Sequence, residues 1–274
     1  MLLKNKVAVV TGGGRGIGKA IAHELAREGA KVVIASRSEK ELREAVKEIQ
    51  KISKHIAYCV TDVAKDTNIK HLMKKTIDTF NAIDILVTAA GIYGPMGDTE
   101  SIDLKKWNET ININLLGLVR CAHEAIPYMK NKGGVIIALA GAGVPTSQPY
   151  ISAYSTSKAA VVQFITNLAA EYKNIRCNTI APGAVATKLT EEVIKAGPKK
   201  VGKEFYEKNL AWKRGEGGAV SPYVVAKYIV KLCADDCNVT GKYLSAVWDK
   251  DLSELSDDIY TLRRIDGVKY KKKK

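Results

Sequence analysis

No run of apolar residues in this 274-residue sequence approaches the roughly 18 that a bilayer-crossing helix needs. The opening stretch MLLKNKVAVVTGGG has no secretory h-region and no cleavage site; it leads straight into a strand and a glycine turn. Membrane-spanning and secreted proteins are therefore not expected, and the expected location is cytoplasmic. Cysteine is scarce and scattered. Cys59, Cys121, Cys177, Cys233 and Cys237 are five, an odd number, and only Cys233 and Cys237 lie close, four apart on an expected helix. None of the four histidines clusters with them, so no metal site is expected, and the thiols read as free and buried in reducing surroundings. Internal repeats, low-complexity linkers and composition breaks are also missing, which points to one domain.

What is present describes a folded chain. Hydrophobic residues make up 46% and charged residues 26%, and the length suffices for a large core without disulfides or structural metals. The formal charge is +14, from 43 Lys+Arg against 29 Asp+Glu. Such a balance raises the question of nucleic acid or an anionic membrane. Here the lysines alternate with glutamates over the expected helix faces, and the one dense block is the tail Lys269–Lys274. That block reads as a solvated terminus, so neither a nucleic-acid nor a membrane partner is expected.

Short β-branched runs alternate with helical patterns from end to end. Strands are expected at Val7–Val10, Val32–Ala35, Ile56–Val60, Ile85–Thr88, Val135–Leu139, Ile175–Ile180 and Tyr243–Val247. Helices are expected at Ile17–Glu28, Glu39–Lys51, Asp66–Phe80, Lys105–Met129, Ala153–Tyr172 and Pro222–Ala234. The alternation implies βαβ units: an α/β fold with a single doubly wound parallel sheet of about seven strands and helices on both faces. Residues 1–247 form the domain, with a lysine-rich excursion at 184–220 read as a lid or a mobile segment. Residues 248–274 form an extension in which Leu252, Leu255, Ile259 and Leu262 would line one helix face, packing on the body or closing a pocket.

The first strand runs into Thr11-Gly12-Gly13-Gly14-Arg15-Gly16-Ile17-Gly18 and then a helix. A dinucleotide pyrophosphate must approach the backbone at a helix N-terminus, where free N–H groups and the dipole favour anions; side chains would block it. The spacing Gly12-x3-Gly16-x-Gly18 resembles the short-chain dehydrogenase/reductase family. Asp62-Val63, Ala89-Ala90-Gly91, Asn114-Leu115-Leu116-Gly117, Tyr154-x3-Lys158 and Pro182-Gly183 with Thr187 continue the resemblance in order, over about residues 5–247. Thr88 stands where the family's Asn-Asn-Ala-Gly motif has its first Asn. The resemblance implies a Rossmann-type sheet of order 3-2-1-4-5-6-7 and a nicotinamide cofactor. Asp62 and Val63 would contact the adenine, Ala90 and Gly91 would belong to the cofactor site, and Thr187 beside Pro182-Gly183 would reach the nicotinamide carboxamide.

An acidic residue after the second strand would repel a 2′-phosphate. This chain has Ser36-Arg37 there, with Arg15 in the glycine turn and no carboxylate expected nearby, so NADP(H) is expected over NAD(H).

Tyr154 and Lys158 lie four apart on one expected helix, so their side chains share a face. A neighbouring ammonium, together with the positive oxidised nicotinamide, favours phenolate and is expected to lower the phenol pKa. By resemblance Tyr154 exchanges a proton with the substrate oxygen, Lys158 also holds the nicotinamide ribose, and Asn114 holds a water linking Lys158 to solvent. The family's serine, thirteen residues before the tyrosine, falls here on Gly141, beside Ala140. Three accounts stand open. Thr146, Ser147 or Ser152 supplies the hydroxyl; backbone N–H groups of Gly141-Ala142-Gly143 do; or the protein binds cofactor with weak or no turnover, as a sensor or scaffold. Losing one such donor costs roughly 10²–10³ in rate, which activity can survive.

The expected function is interconversion of a secondary alcohol and a ketone, with 3-oxoacyl thioesters of a carrier protein or coenzyme A among the candidate substrates of a lysine-rich lid. Trp107, Trp212 and Trp248 are candidates for the pocket wall or for the core. The resemblance also implies a homo-oligomer, a tetramer or dimer built on the helices at 105–129 and 153–172, where Ala159, Ala160, Ala169 and Ala170 would permit close contact.

Overall fold

Every residue of the first strand, β1 (Val7–Thr11), is buried, and its successive side chains feed two different cores. Ala8 and Val10 point to one side of the sheet and Val9 to the other. Apolar residues on both faces need cover on both faces, which a parallel sheet receives from its crossover helices. The computed structural model describes residues 1–141, 143–144, 146–249, 251–252 and 255. Among these it has seven strands: β1, β2 (Lys31–Ser36), β3 (Ile56–Val60), β4 (Ile85–Thr88), β5 (Gly134–Leu139), β6 (Ile175–Ala181) and β7 (Tyr243–Ser245). All pair in parallel, in the expected order β3-β2-β1-β4-β5-β6-β7.

The described helices are α1 (Gly16–Arg27), α2 (Glu39–Ile49), α3 (Asp66–Phe80), α4 (Leu104–Ile111), α5 (Gly117–Met129), α6 (Ser152–Glu171), α7 (Lys188–Ala196), α8 (Pro198–Val201), α9 (Lys203–Lys213) and α10 (Pro222–Cys233). One face of the sheet is covered by α1, α2 and α10 through Ile21, Leu25, Leu42, Val225 and Ile229. The other is covered by α3, α5 and α6 through Leu72, Met73, Leu118, Ala125 and Ile165. Each of the larger of these, the buried Leu, Ile, Val and Met side chains, contributes about 1.5–3 kcal/mol. No described helix is long and apolar enough to cross a membrane.

Three expectations are corrected, and the excursion at 184–220 is given a structure. The helix expected over Lys105–Met129 is interrupted by a π turn at Asn112–Leu116, where the Gly117 N–H bonds the Asn112 carbonyl five residues back. The wider turn coincides with the tie of the Asn114 side chain to Ile92, a contact across the fold that overrides the regular helical register. Strand β7 ends at Ser245 rather than Val247, because the Ser245 hydroxyl accepts the N–H groups of Val247 and Trp248 and turns the chain. Cys237 lies past the end of α10, so it shares no helix with Cys233; all five cysteines are free. The excursion at 184–220 is three packed helices, with Val193, Val201 and Phe205 buried against Tyr93 and Tyr154.

In the extension, Leu252 and Leu255 pack on the core that α1 and α10 cover. Ile259, Leu262 and the tail Lys269–Lys274 lie outside the described residues.

Candidate active site

A cleft of about 880 Å³ crosses the carboxyl ends of strands β1 to β6, where open α/β sheets take their ligands. The glycine turn forms one end of it. Gly12 has φ +68°, and a β-carbon there would stand 2.8 Å from the Ala89 and Ala90 backbone. At Gly18 a β-carbon would stand 2.2 Å from the Gly12 carbonyl oxygen, so the start of α1 can close on the turn only without a side chain. Gly16 holds φ +55°, a left-handed conformation that glycine adopts without strain. The first turn of α1 has no acidic residue and Arg15 gives it no side-chain cap, which leaves its N–H groups and positive dipole end for an anion. Gly12, Arg15, Gly16, Ile17 and Gly18 all line the cleft, and this side-chain-free cradle fits a dinucleotide pyrophosphate.

The flank beyond the turn is built by Ser36, Arg37, Asp62 and Val63. Asp62 is fixed by accepting the Ala64 N–H at 3.1 Å, and its own N–H donates to Asn68 Oδ1. Here the expectation of guanidiniums without a nearby carboxylate is corrected. Arg15 Nη1 donates to Glu41 Oε1 at 2.8 Å, and Glu41 itself lines the cleft. Ser38 caps α2 by accepting the Glu41 N–H, and this cap sets where the carboxylate emerges. Arg37 is exposed and has no ion pair among the described residues, which makes it the unpaired guanidinium at the end of β2.

At the far end stand Ala90, Gly91, Gly141, Tyr154, Pro182 and Gly183. Asn114, 3% exposed, donates from Nδ2 to the Ile92 carbonyl and to Ser157 Oγ, and accepts the Ile92 N–H, each at 2.9 Å. Ser157 Oγ in turn donates to the Tyr154 carbonyl at 2.7 Å. This chain of bonds locks the loop after β4 to the helix carrying Tyr154 and Lys158. Lys158 is buried, and its Nζ donates to the Leu139 carbonyl at 2.8 Å.

The expected acidification of the phenol is corrected as well. Burial raises Tyr154 well above the ordinary phenol value, with Tyr93 and Tyr243 adding to the effect. The Lys158 amine lies 5.7 Å from the Tyr154 ring centroid, and burial lowers its own pKa to about 8. Desolvation is the leading cause of both shifts.

Position 141 offers no hydroxyl, and a β-carbon there would stand 2.0 Å from Tyr154 Oη. Thr146, Ser147 and Ser152 are not among the residues lining the cleft, and Ser152 Oγ accepts the Trp107 indole N–H at 3.2 Å. Ala142 lies outside the described residues. Of the tryptophans, Trp212 lines the cleft, Trp107 packs beside Ser152, and Trp248 is 71% exposed.

The lid contributes Thr187, Lys188 and Glu191 from α7 and the residue before it, and Trp212 and Lys213 from α9. The lysines of 184–220 are exposed, and two pair along α9, Lys208 with Glu204 and Lys203 with Glu207. Only Lys188 and Lys213 of that set border the cleft.

Glu41, Tyr93 and Ser157 escaped the sequence reading. Ser38-x-x-Glu41 is legible as a helix-start pattern, and Tyr93 follows Gly91 by two residues, but neither pattern announces the partner across the fold.

The chain and its fold have relatives among known proteins. Residues 6–197 match the short chain dehydrogenase family model. Over 250 residues the chain is 31% identical to the 3-oxoacyl-[acyl-carrier-protein] reductase of Thermotoga maritima, covering 89% of this chain and 97% of that protein. It is 31% identical over 217 residues to dehydrogenase/reductase SDR family member 2, mitochondrial, of Homo sapiens, with 78% and 77% covered. A variant actinorhodin polyketide ketoreductase solved with NADPH superposes at TM-score 0.78, with 26% identity and coverage of 88% and 95%. Levodione reductase superposes at 0.79, also with 26% identity, covering 89% and 96%.

Proposed function

Because the chain belongs to the short-chain dehydrogenase family, whose members are oxidoreductases acting on CH–OH groups, we propose that it interconverts a ketone and a secondary alcohol with NADP(H). The observation that carries this reading is the single cleft joining the glycine cradle at Gly12–Gly18 to the Tyr154 phenol. Gly12, Gly16, Ile17 and Gly18 would hold the pyrophosphate, and Asp62 and Val63 the adenine. Ala90, Gly91, Tyr154, Lys158, Pro182, Gly183 and Thr187 would hold the nicotinamide riboside. Bound there, the cofactor supplies or accepts a hydride at the substrate carbon.

The chain's own part is the proton. Tyr154 is a neutral phenol at neutral pH, with a proton to exchange with the substrate oxygen; its burial makes that proton harder to remove. Lys158, largely protonated at neutral pH with a pKa of about 8, offsets the charge the phenol then acquires. Asn114 keeps the loop after β4 and helix α6 in register while the proton moves.

Ser36, Arg37 and Arg15 are the candidates for the 2′-phosphate. The unpaired Arg37 supports NADP(H), while Glu41 partly offsets the charge of Arg15. Titration of the cofactors against protein fluorescence tests this: NADPH is expected to bind at least tenfold more tightly than NADH, and the reverse order overturns the assignment.

For substrates, the 3-oxoacyl and polyketide reductases among the similar proteins support 3-oxoacyl thioesters and related ketones, and Lys188 and Lys213 at the cleft border suit an anionic carrier. The five free cysteines support a reducing, cytoplasmic setting. A homo-oligomer through α5 and α6 is part of this reading; on the α5 side Tyr128 and, in the π turn before it, Leu116 are 42% and 41% exposed. A second reading, cofactor binding without turnover, rests on the missing hydroxyl at Gly141.

A further inference from the structure

We infer that Tyr93 supplies the second hydrogen-bond donor to the substrate oxygen, in place of the hydroxyl that position 141 lacks. This rests on the oxidoreductase reading above and names a residue that the family resemblance does not assign. Tyr93 is 7% exposed and lines the same cleft as Tyr154. The two rings touch, with centroids 4.5 Å apart and planes inclined at 50°. Neither hydroxyl has a hydrogen-bond partner among the described residues, although both phenols border the cleft. With no bond to the described residues holding either hydroxyl, both phenols on this cleft wall can donate to a ligand oxygen.

The position of Tyr93 is also fixed. Its ring meets Phe205 of the lid edge-on at 6.3 Å and 86°. Behind it Gly94 holds φ +75° with its backbone tight against Thr110, where a β-carbon would stand 1.8 Å from Oγ1. A donor held on both sides is preorganised for an oxyanion-type contact. Burial, with the Glu192 carboxylate adding to it, raises the Tyr93 pKa, so the group stays a neutral phenol with a proton to donate. The alternatives are weaker on geometry: Thr146 and Ser147 do not line the cleft, and Ser152 is held by Trp107.

Tyr93→Phe tests the inference, because it keeps the ring contacts and removes only the hydroxyl. With saturating NADPH and ethyl acetoacetate or cyclohexanone as substrate, kcat/KM is expected to fall about 10²-fold, the scale of a lost oxyanion donor. NADPH affinity and melting temperature are expected to stay at wild-type values. A second arm needs no turnover. Binding of ethyl 3-hydroxybutyrate to the NADPH-loaded chain, two reduced partners that cannot react, is expected to weaken about tenfold by calorimetry. A variant within twofold of wild type in both arms overturns the inference. So does a variant that loses NADPH affinity or stability, since the hydroxyl would then be structural. Wild-type protein that reduces no ketone overturns the oxidoreductase reading instead, and the alcohol arm still reads Tyr93; wild type that also binds no alcohol overturns both.

Discussion

The Tyr154 phenol oxygen lies so close to Gly141 that a β-carbon on that glycine would stand 2.0 Å from it. The absent side chain and the seat of the phenol are thus one feature: the space a serine would fill is taken up by the hydroxyl of Tyr154. Gly141→Ser restores the family's residue and yet is expected to do harm. Overpacking here costs about 1–3 kcal/mol and drives the phenol from its seat. Melting temperature and ketone reduction should both fall, the latter at least about tenfold; a variant with higher kcat contradicts this picture.

Lys158 gives a pH signature. Its pKa is about 8 in the folded chain, against about 10.4 when unfolded. Between those values the unfolded state holds a proton that the folded state has lost, so this group's contribution to stability rises with pH. Below pH 8 both states are protonated, and the cost of the buried charge is present in full. Wild type should therefore gain stability over Lys158→Met between pH 8 and 9.5, by up to about 1.4 kcal/mol per pH unit. Parallel denaturation curves for the two proteins across that range would show the shift to be misassigned.

The adenosine end turns on charge. Glu41 engages Arg15, and both side chains are partly exposed, so salt screens the pair. Glu41→Gln is expected to tighten NADPH binding a few-fold at low ionic strength with little change for NADH. Arg37→Ala should weaken NADPH about tenfold, the scale of one charge-assisted hydrogen bond. Equal responses of both cofactors, followed by fluorescence titration, would remove Arg37 and Glu41 from any part in cofactor choice.

Much of the molecule is legible before folding because its signals are local. The buried run Val7–Thr11, the glycines after it and the cap at Ser38 act within a few residues of themselves; the alternation gives a parallel doubly wound sheet, and the family resemblance gives its strand order. The break at Asn112–Leu116 is not local. Nothing in that stretch resists a regular helix, and it coincides with a bond from Asn114 to Ile92 on a different element. The same holds for Arg15 with Glu41 and for Tyr93 with Tyr154: each partner is ordinary where it stands in the chain, and only the fold brings the pair together. The phenol pKa was misjudged for a related reason. Helical spacing places an amine near Tyr154, but burial, which no spacing reveals, decides the sign.

The central claim is that Tyr154 delivers a proton to a carbonyl oxygen in a cleft loaded with NADPH. It is tested most directly by following NADPH absorbance with ethyl acetoacetate for wild type and Tyr154→Phe, with cofactor binding measured on the same samples. Wild type should consume NADPH only when ketone is present, and the variant should bind NADPH equally well while reducing ketone about 10²–10⁴-fold more slowly. Equal rates in the two proteins would contradict the account.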